Sequence, residues 1–153
     1  MAASVREITK LIDAWHPRGC KTEKDFERSL QKHLEKNLPN ADVIAQYASG
    51  RVKGDIAVDG EVLIEIKDSL KSTAQLQRLL GQLEIYNTQW KGKVIVLICG
   101  DSQRDLVNAL KKKIDDLKAA TTFLIFSDQK IFLVLRGSAA AAAAKASSFL
   151  WDL

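Results

Sequence analysis

Gly54-Asp55-Ile56-Ala57-Val58-Asp59-Gly60-Glu61-Val62-Leu63-Ile64-Glu65-Ile66-Lys67 is the stretch on which the fold of this chain turns. Two apolar runs flank Asp59-Gly60, a strong turn signal, so the segment reads as a β-hairpin. Side chains alternate between the faces of a strand. The second strand therefore shows Val62, Ile64 and Ile66 on one side, and Leu63, Glu65 and Lys67 on the other. The first shows Ile56 and Val58 on one side, Asp55 and Ala57 on the other. A strict two-residue turn at Asp59-Gly60 pairs Ile56 with Leu63 and sets apolar against polar faces. A three-residue loop, Val58-Asp59-Gly60 with Gly60 left-handed in a bulge, pairs Ile56 with Val62 and Asp55 with Leu63. A slip of one residue flips every side chain to the other face, so the apolar alternation selects the odd-length loop. Asp55 is then diagonal to Glu65 on one face, with Lys67 beside Glu65.

Burying three charges on one sheet face needs a reason. A Glu-x-Lys pair alone is common on solvated strands, and Gly-Asp at hairpin distance sets this one apart. Two carboxylates a few ångströms apart raise each other's pKa. A divalent cation between them removes that cost. Mg²⁺ takes oxygen ligands and a few carboxylates plus water, and it can activate a bound water and neutralise charge on a phosphate. Lys67 then positions the water or stabilises the phosphate as it is attacked.

Outward from the hairpin, apolar spacing predicts a helix over Val5 to Trp15, broken at His16-Pro17-Arg18-Gly19. A second helix opens at Thr22, with Asp25 in the capping-box position and a stripe of Phe26, Leu30, Leu34 and Leu38. A strand over Val43 to Ala48 precedes the hairpin. A long helix from Ser72 to Thr88 follows it, with Leu76, Leu79, Leu80 and Leu83 inward. Lys93 to Cys99 is nearly all apolar and reads as a strand buried on both faces. A helix over Ser102 to Leu117 and strands over Thr121 to Phe126 and Lys130 to Leu135 complete the order. The fold class is α/β, a central mixed sheet with helices on both faces. One domain is expected over residues 1–137, with a core at about 22–99 and an alanine-rich tail or helix at 138–153.

The 153 residues are enough for one core. The formal charge of +4 suits a polyanionic partner. Cys20 and Cys99 are too few and too far apart for a zinc site or a disulfide framework. The first residues lack the apolar run of a signal peptide, and no stretch has the length of a membrane span. A cytoplasmic protein with no membrane partner is expected. The Gly-rich loop of an NTPase is absent, as are Gly-x-Ser-x-Gly and His-Glu-x-x-His.

Asp55 on one strand and Glu65-Ile66-Lys67 on the next resemble the motif of the PD-(D/E)XK nuclease superfamily. That superfamily includes restriction endonucleases, Holliday junction resolvases and RecB-type exonuclease domains. Here Gly54 stands where the motif's proline falls. The order of elements over about 22–99 is similar to the restriction endonuclease-like core: helix, three-strand meander, helix, strand. Gln82-Leu83-Glu84-Ile85-Tyr86 is similar to the Gln-x-x-x-Tyr signature of RecB-like members.

The resemblance implies a Mg²⁺-dependent endo- or exodeoxyribonuclease, with Mn²⁺ as a substitute. Asp55, Glu65 and Lys67 are its catalytic centre. Asp55, Glu65 and the Ile66 carbonyl hold the metal, and Glu27 of the first core helix joins or supports it. Gln82 is a further catalytic candidate, and Gln75, Arg78 and Tyr86 are candidates for contact with DNA. A chain this small surrounds little duplex, so a homodimer or a place in a larger complex is expected. The alternative is a catalytically inactive nucleic-acid-binding or assembly module of the same fold.

Overall fold

A computed structural model of the chain describes residues 2–121 and 129–136. Helices α1 (Val5–Ala14) and α2 (Glu23–Asn37) precede strands β1 (Val43–Ser49), β2 (Val52–Val58) and β3 (Val62–Lys67). Helix α3 (Thr73–Gln89), strand β4 (Lys93–Ile98), helix α4 (Arg104–Thr121) and strand β5 (Ile131–Leu135) follow. The first three helices begin at capping boxes: Ser4 with Glu7, Thr22 with Asp25 and Ser72 with Gln75. In each, the cap side chain accepts from one orphan N–H and the third helical residue returns to the cap N–H.

The described strands form one mixed sheet in the order β1-β2-β3-β4-β5. β1, β2 and β3 run antiparallel, and β3, β4 and β5 run parallel through crossovers by α3 and α4. Side-chain alternation sorts the core into two layers. Ile56, Val58, Ile64, Ile66, Ile95 and Leu97 pack with Ile8, Ile12, Trp15, Leu30 and Leu34 of the α1 and α2 side. Ala57, Leu63, Val94, Val96 and Ile98 pack with Leu79, Leu83, Tyr86 and Leu110 of α3 and α4. β3 and β4 are central and covered on both faces, so their sequences read as continuous apolar runs. Trp15 closes the first layer, lying edge-on to Phe26 while its Nε1 donates to Ser29 Oγ at 2.9 Å. Among the described residues, no helix is long and apolar enough to cross a membrane.

The hairpin loop is three residues long, but it is Asp59-Gly60-Glu61. Val58 pairs with Val62, Ala57 with Leu63 and Ile56 with Ile64, displaced by two residues from the expected register. Asp59 and Gly60 both have positive φ, 55° and 63°. Asp59 tolerates that conformation because its carboxylate is fixed, accepting from Ala3 N at 3.0 Å and Asp42 N at 2.8 Å. A displacement of two leaves every side chain on its expected face, since the strand period is two. The strand expected over Thr121 to Phe126 is corrected at its start, because Thr121 closes α4. Residues 122–126 and the alanine-rich stretch at 138–153 lie outside the described residues.

Candidate active site

Asp55 lies where both neighbouring ladders are interrupted. The β2–β3 pairs end at Ile56 with Ile64. The β1–β2 pairs run from Val43 with Val58 to Ala45 with Ile56, skip one position, and resume at Tyr47 with Gly54. The skipped pair is Gln46 and Asp55. Freed of strand pairing, Asp55 turns its carboxylate into the ladder, where Oδ2 accepts from Ile66 N at 2.6 Å. Continuing the β2–β3 register sets Asp55 level with Glu65 rather than diagonal to it.

Gly54 carries β2 tightly past β3. A Cβ at this position meets the buried Leu63 side chain at 2.3 Å. That contact gives the glycine before Asp55 a packing reason: proline, like any other side chain, lacks the space.

Glu65 is 3% exposed on the face covered by α3. Its Oε2 accepts from the Tyr86 hydroxyl at 2.7 Å, and its Oε1 is 3.4 Å from Lys67 Nζ. The Lys53 carbonyl is a second acceptor beside the Tyr86 hydroxyl and competes with Glu65 for its single proton, tying α3 to β2. Burial pushes the Glu65 carboxyl up to about 7, helped by the charge of Asp55 and opposed by Tyr86 and Lys67. Burial likewise raises Asp55 to about 6; the Ile66 N–H opposes the rise, and the charge of Glu27 adds to it. Both shifts have the sign of carboxylates held together in a poorly solvated place. Burial and Glu65 push the Tyr86 hydroxyl upward, so it stays a donor at neutral pH.

Glu27 reaches this centre from α2. It is 3% exposed and accepts from Gln46 Nε2 of β1. Its second oxygen is 3.3 Å from Lys24 Nζ. Beyond Lys67, a cavity of about 410 Å³ is lined by Glu23, Lys67, Ser69, Gln75, Arg78 and Gln82. Gln82 Oε1 is buried there and has no hydrogen-bond partner among the described residues. Arg78 is exposed. A larger groove of about 910 Å³ lies along α1 at the far end of β3, lined in part by Arg6, Lys10, Lys91 and Lys93. Neither cavity is lined by Asp55 or Glu65; the smaller one adjoins them through Lys67, the ion-pair partner of Glu65.

The structure thus gathers Asp55, Glu65, Lys67 and Tyr86, brings Glu27 alongside, and sets Gln82, Gln75 and Arg78 around the adjoining cavity. Two expectations change. Tyr86 is 1% exposed and turned to Glu65, so it is not a DNA contact; it is a ligand of the carboxylate. Gln75 commits Oε1 to the N–H groups of Lys71 and Ser72, which makes it first a helix cap. Gln46 is the residue that the sequence hides. It belongs to no motif, and its positive backbone angle and its bond to Glu27 mark it out.

Among the described residues, no group of three or more His, Cys, Asp or Glu side chains is gathered to hold a metal ion. The donor set still suits a hard cation such as Mg²⁺, which takes one or two carboxylates and keeps several waters. In a strand, the N–H and C=O of one residue point the same way. The Ile66 carbonyl is therefore directed, with its N–H, toward Asp55 and the gap left by the broken ladder.

By fold and site, the chain is an α/β domain whose described strands form a mixed five-stranded sheet, with carboxylates on two adjacent strands and a lysine paired with one of them. No protein-family model matches it, and no curated protein matches it. A solved structure similar to it is that of Pyrococcus furiosus SfsA in complex with Ca²⁺, at 12% identity and a TM-score of 0.39. The similarity covers 73% of this chain and 54% of that one, so the chain spans about half the length of that protein. Likeness this slight carries no weight for the chemistry, which rests on the residues of this chain.

Proposed function

We propose that this chain is a Mg²⁺-dependent nuclease that hydrolyses phosphodiester bonds in DNA. The observation that carries the reading is the pair Asp55 and Glu65 on adjacent strands. Glu65 is buried and Asp55 half-buried, both carboxyls are raised chiefly by desolvation, the charge of Asp55 adds to the rise of Glu65, and Lys67 is paired with Glu65. Carboxyls whose ionisation costs stability cluster at functional sites, where that cost is matched to chemistry. When bound, Mg²⁺ supplies a water acidified by the metal and neutralises charge on the phosphate. Asp55, Glu65 and the Ile66 carbonyl are the groups that hold it, with Glu27 in reserve on α2. The Ile66 N–H and the Tyr86 hydroxyl fix the two carboxylates in place. Lys67 orients the attacking water or donates to the phosphate oxygen that gains charge. Arg78 is placed to hold the phosphate backbone beside the cavity. The formal charge of +4 favours such a polyanion. A homodimer is the assembly we favour, since one small domain covers little duplex; a strict monomer by light scattering refutes it.

The test is incubation of the protein with supercoiled, linear, single-stranded and branched DNA in Mg²⁺ or Mn²⁺. Cleavage is expected, with loss of activity in Lys67→Ala and Asp55→Ala. No cleavage of any of the four by the unmodified protein refutes the enzyme; retained DNA binding then identifies an inactive binding module of this fold.

A further inference from the structure

Gln46 adopts φ 53° in the middle of β1. A side chain other than glycine is costly there, and such strain persists where the surroundings impose it, typically at functional sites. The strain has two local results. It opens the β1–β2 ladder at the pair Gln46 and Asp55 alone, with the register identical on either side. It also aims the Gln46 amide at Glu27, whose Oε1 accepts from Nε2. Glu27 has few other choices. It is 3% exposed, and its ion pair among the described residues is with Lys24, whose side chain is 54% exposed, so that pair is screened by solvent and weak. Gln46 stands opposite Asp55 in the β1–β2 register, so its bond to Glu27 brings that carboxylate to the broken pair, yet no group of three acidic side chains is closed among the described residues.

We infer that Gln46 is a positioning residue: its strained backbone and its amide hold the Glu27 carboxylate on the Asp55 side of the site, poised for a divalent cation. The inference rests on the metal-dependent reading above and extends it to a residue of the edge strand. Gln46 touches neither the ion nor the substrate. It acts through Glu27, as partners of metal-binding carboxylates commonly do. Amide rather than carboxylate chemistry is required at this position. Nε2 donates to Glu27 and adds no charge to a centre already crowded with carboxylates.

The experiment is calorimetric titration of the full chain with Mn²⁺ alone, with no DNA present. The proteins are wild type, Gln46→Gly, Gln46→Ala, Glu27→Ala and the double variant Gln46→Gly with Glu27→Ala. Glycine accepts the positive φ and removes only the amide, so its urea midpoint should equal or exceed that of wild type. Its Mn²⁺ affinity should fall on the order of tenfold or more, the range for partners of metal ligands. Gln46→Ala, which keeps the strain without the amide, should lose a similar factor. In the Glu27→Ala background, Gln46→Gly should have no further effect, because a residue acting through Glu27 is silent without it. Unchanged affinity in both single variants overturns the positioning role. So does an effect that persists undiminished in the double variant. Wild type that binds no Mn²⁺ overturns the metal reading itself, a distinct failure.

Discussion

Consider Glu65→Gln in protein stripped of metal. A carboxyl normally near 4.5 and held near 7 in the folded state is easier to keep protonated when folded than when unfolded. With each pH unit worth 1.36 kcal/mol, ionising Glu65 in the fold costs about 3 kcal/mol at pH 8. The sign follows from the direction of the shift. This group's contribution is fully present below the unfolded value of 4.5 and is lost as pH rises through 7. Glutamine imitates the neutral carboxyl: its amide oxygen still accepts from Tyr86, while its amide nitrogen takes the place of the oxygen that faces Lys67. Allowing for imperfect mimicry, the variant should be more stable than wild type by about 2 kcal/mol at pH 8. With a slope of about 2 kcal/mol per molar urea, the midpoint rises by about 1 M. The advantage should shrink steadily as pH falls and vanish near pH 4. The assay is urea unfolding, followed by tryptophan fluorescence in EDTA at several pH values. A variant less stable than wild type at pH 8, or a difference that ignores pH, refutes the view that Glu65 is buried at a cost.

Further outcomes follow from the same geometry. Mn²⁺ should raise the melting temperature of wild type more at pH 8 than at pH 5.5, because protons compete for Asp55 and Glu65, which titrate near 6 and 7; thermal scans with and without metal measure this. Tyr86→Phe removes the donor that favours the charged form of Glu65. The pH midpoint of Mn²⁺ binding, read by calorimetry, should therefore move upward, and stability should drop by about 1–3 kcal/mol for the unmet acceptors. Gly54→Ala should destabilise the fold by about 1–3 kcal/mol through the clash with Leu63, measured by urea unfolding. Gln82→Leu replaces a buried acceptor with no partner among the described residues, so its urea midpoint should hold or rise while cleavage falls.

Much of the architecture was legible from pattern. The capping triplets Ser4 to Glu7, Thr22 to Asp25 and Ser72 to Gln75 mark the helix starts by chemistry that is local to four residues. The long apolar run at Lys93 marks a strand covered on both faces. The hairpin shows the limit. Alternation required an odd loop, and the loop is odd. Loops differing by two residues, however, satisfy alternation equally, and fixing Asp59 in its left-handed turn took the N–H groups of Ala3 and Asp42 from distant parts of the chain.

The sequence by itself determined that Asp55, Glu65 and Lys67 share one side of two adjacent strands, because a period of two is a local property of the backbone. Only the tertiary structure decided what surrounds them. It broke both ladders at Asp55, brought the Tyr86 hydroxyl down from α3, and tied Glu27 of α2 to a strained Gln46. The last two are meetings between residues 19 or more positions apart, and neither periodicity nor motif spacing encodes them. The raised carboxyls belong to the same class, since desolvation exists only once the layers of the fold have closed over them.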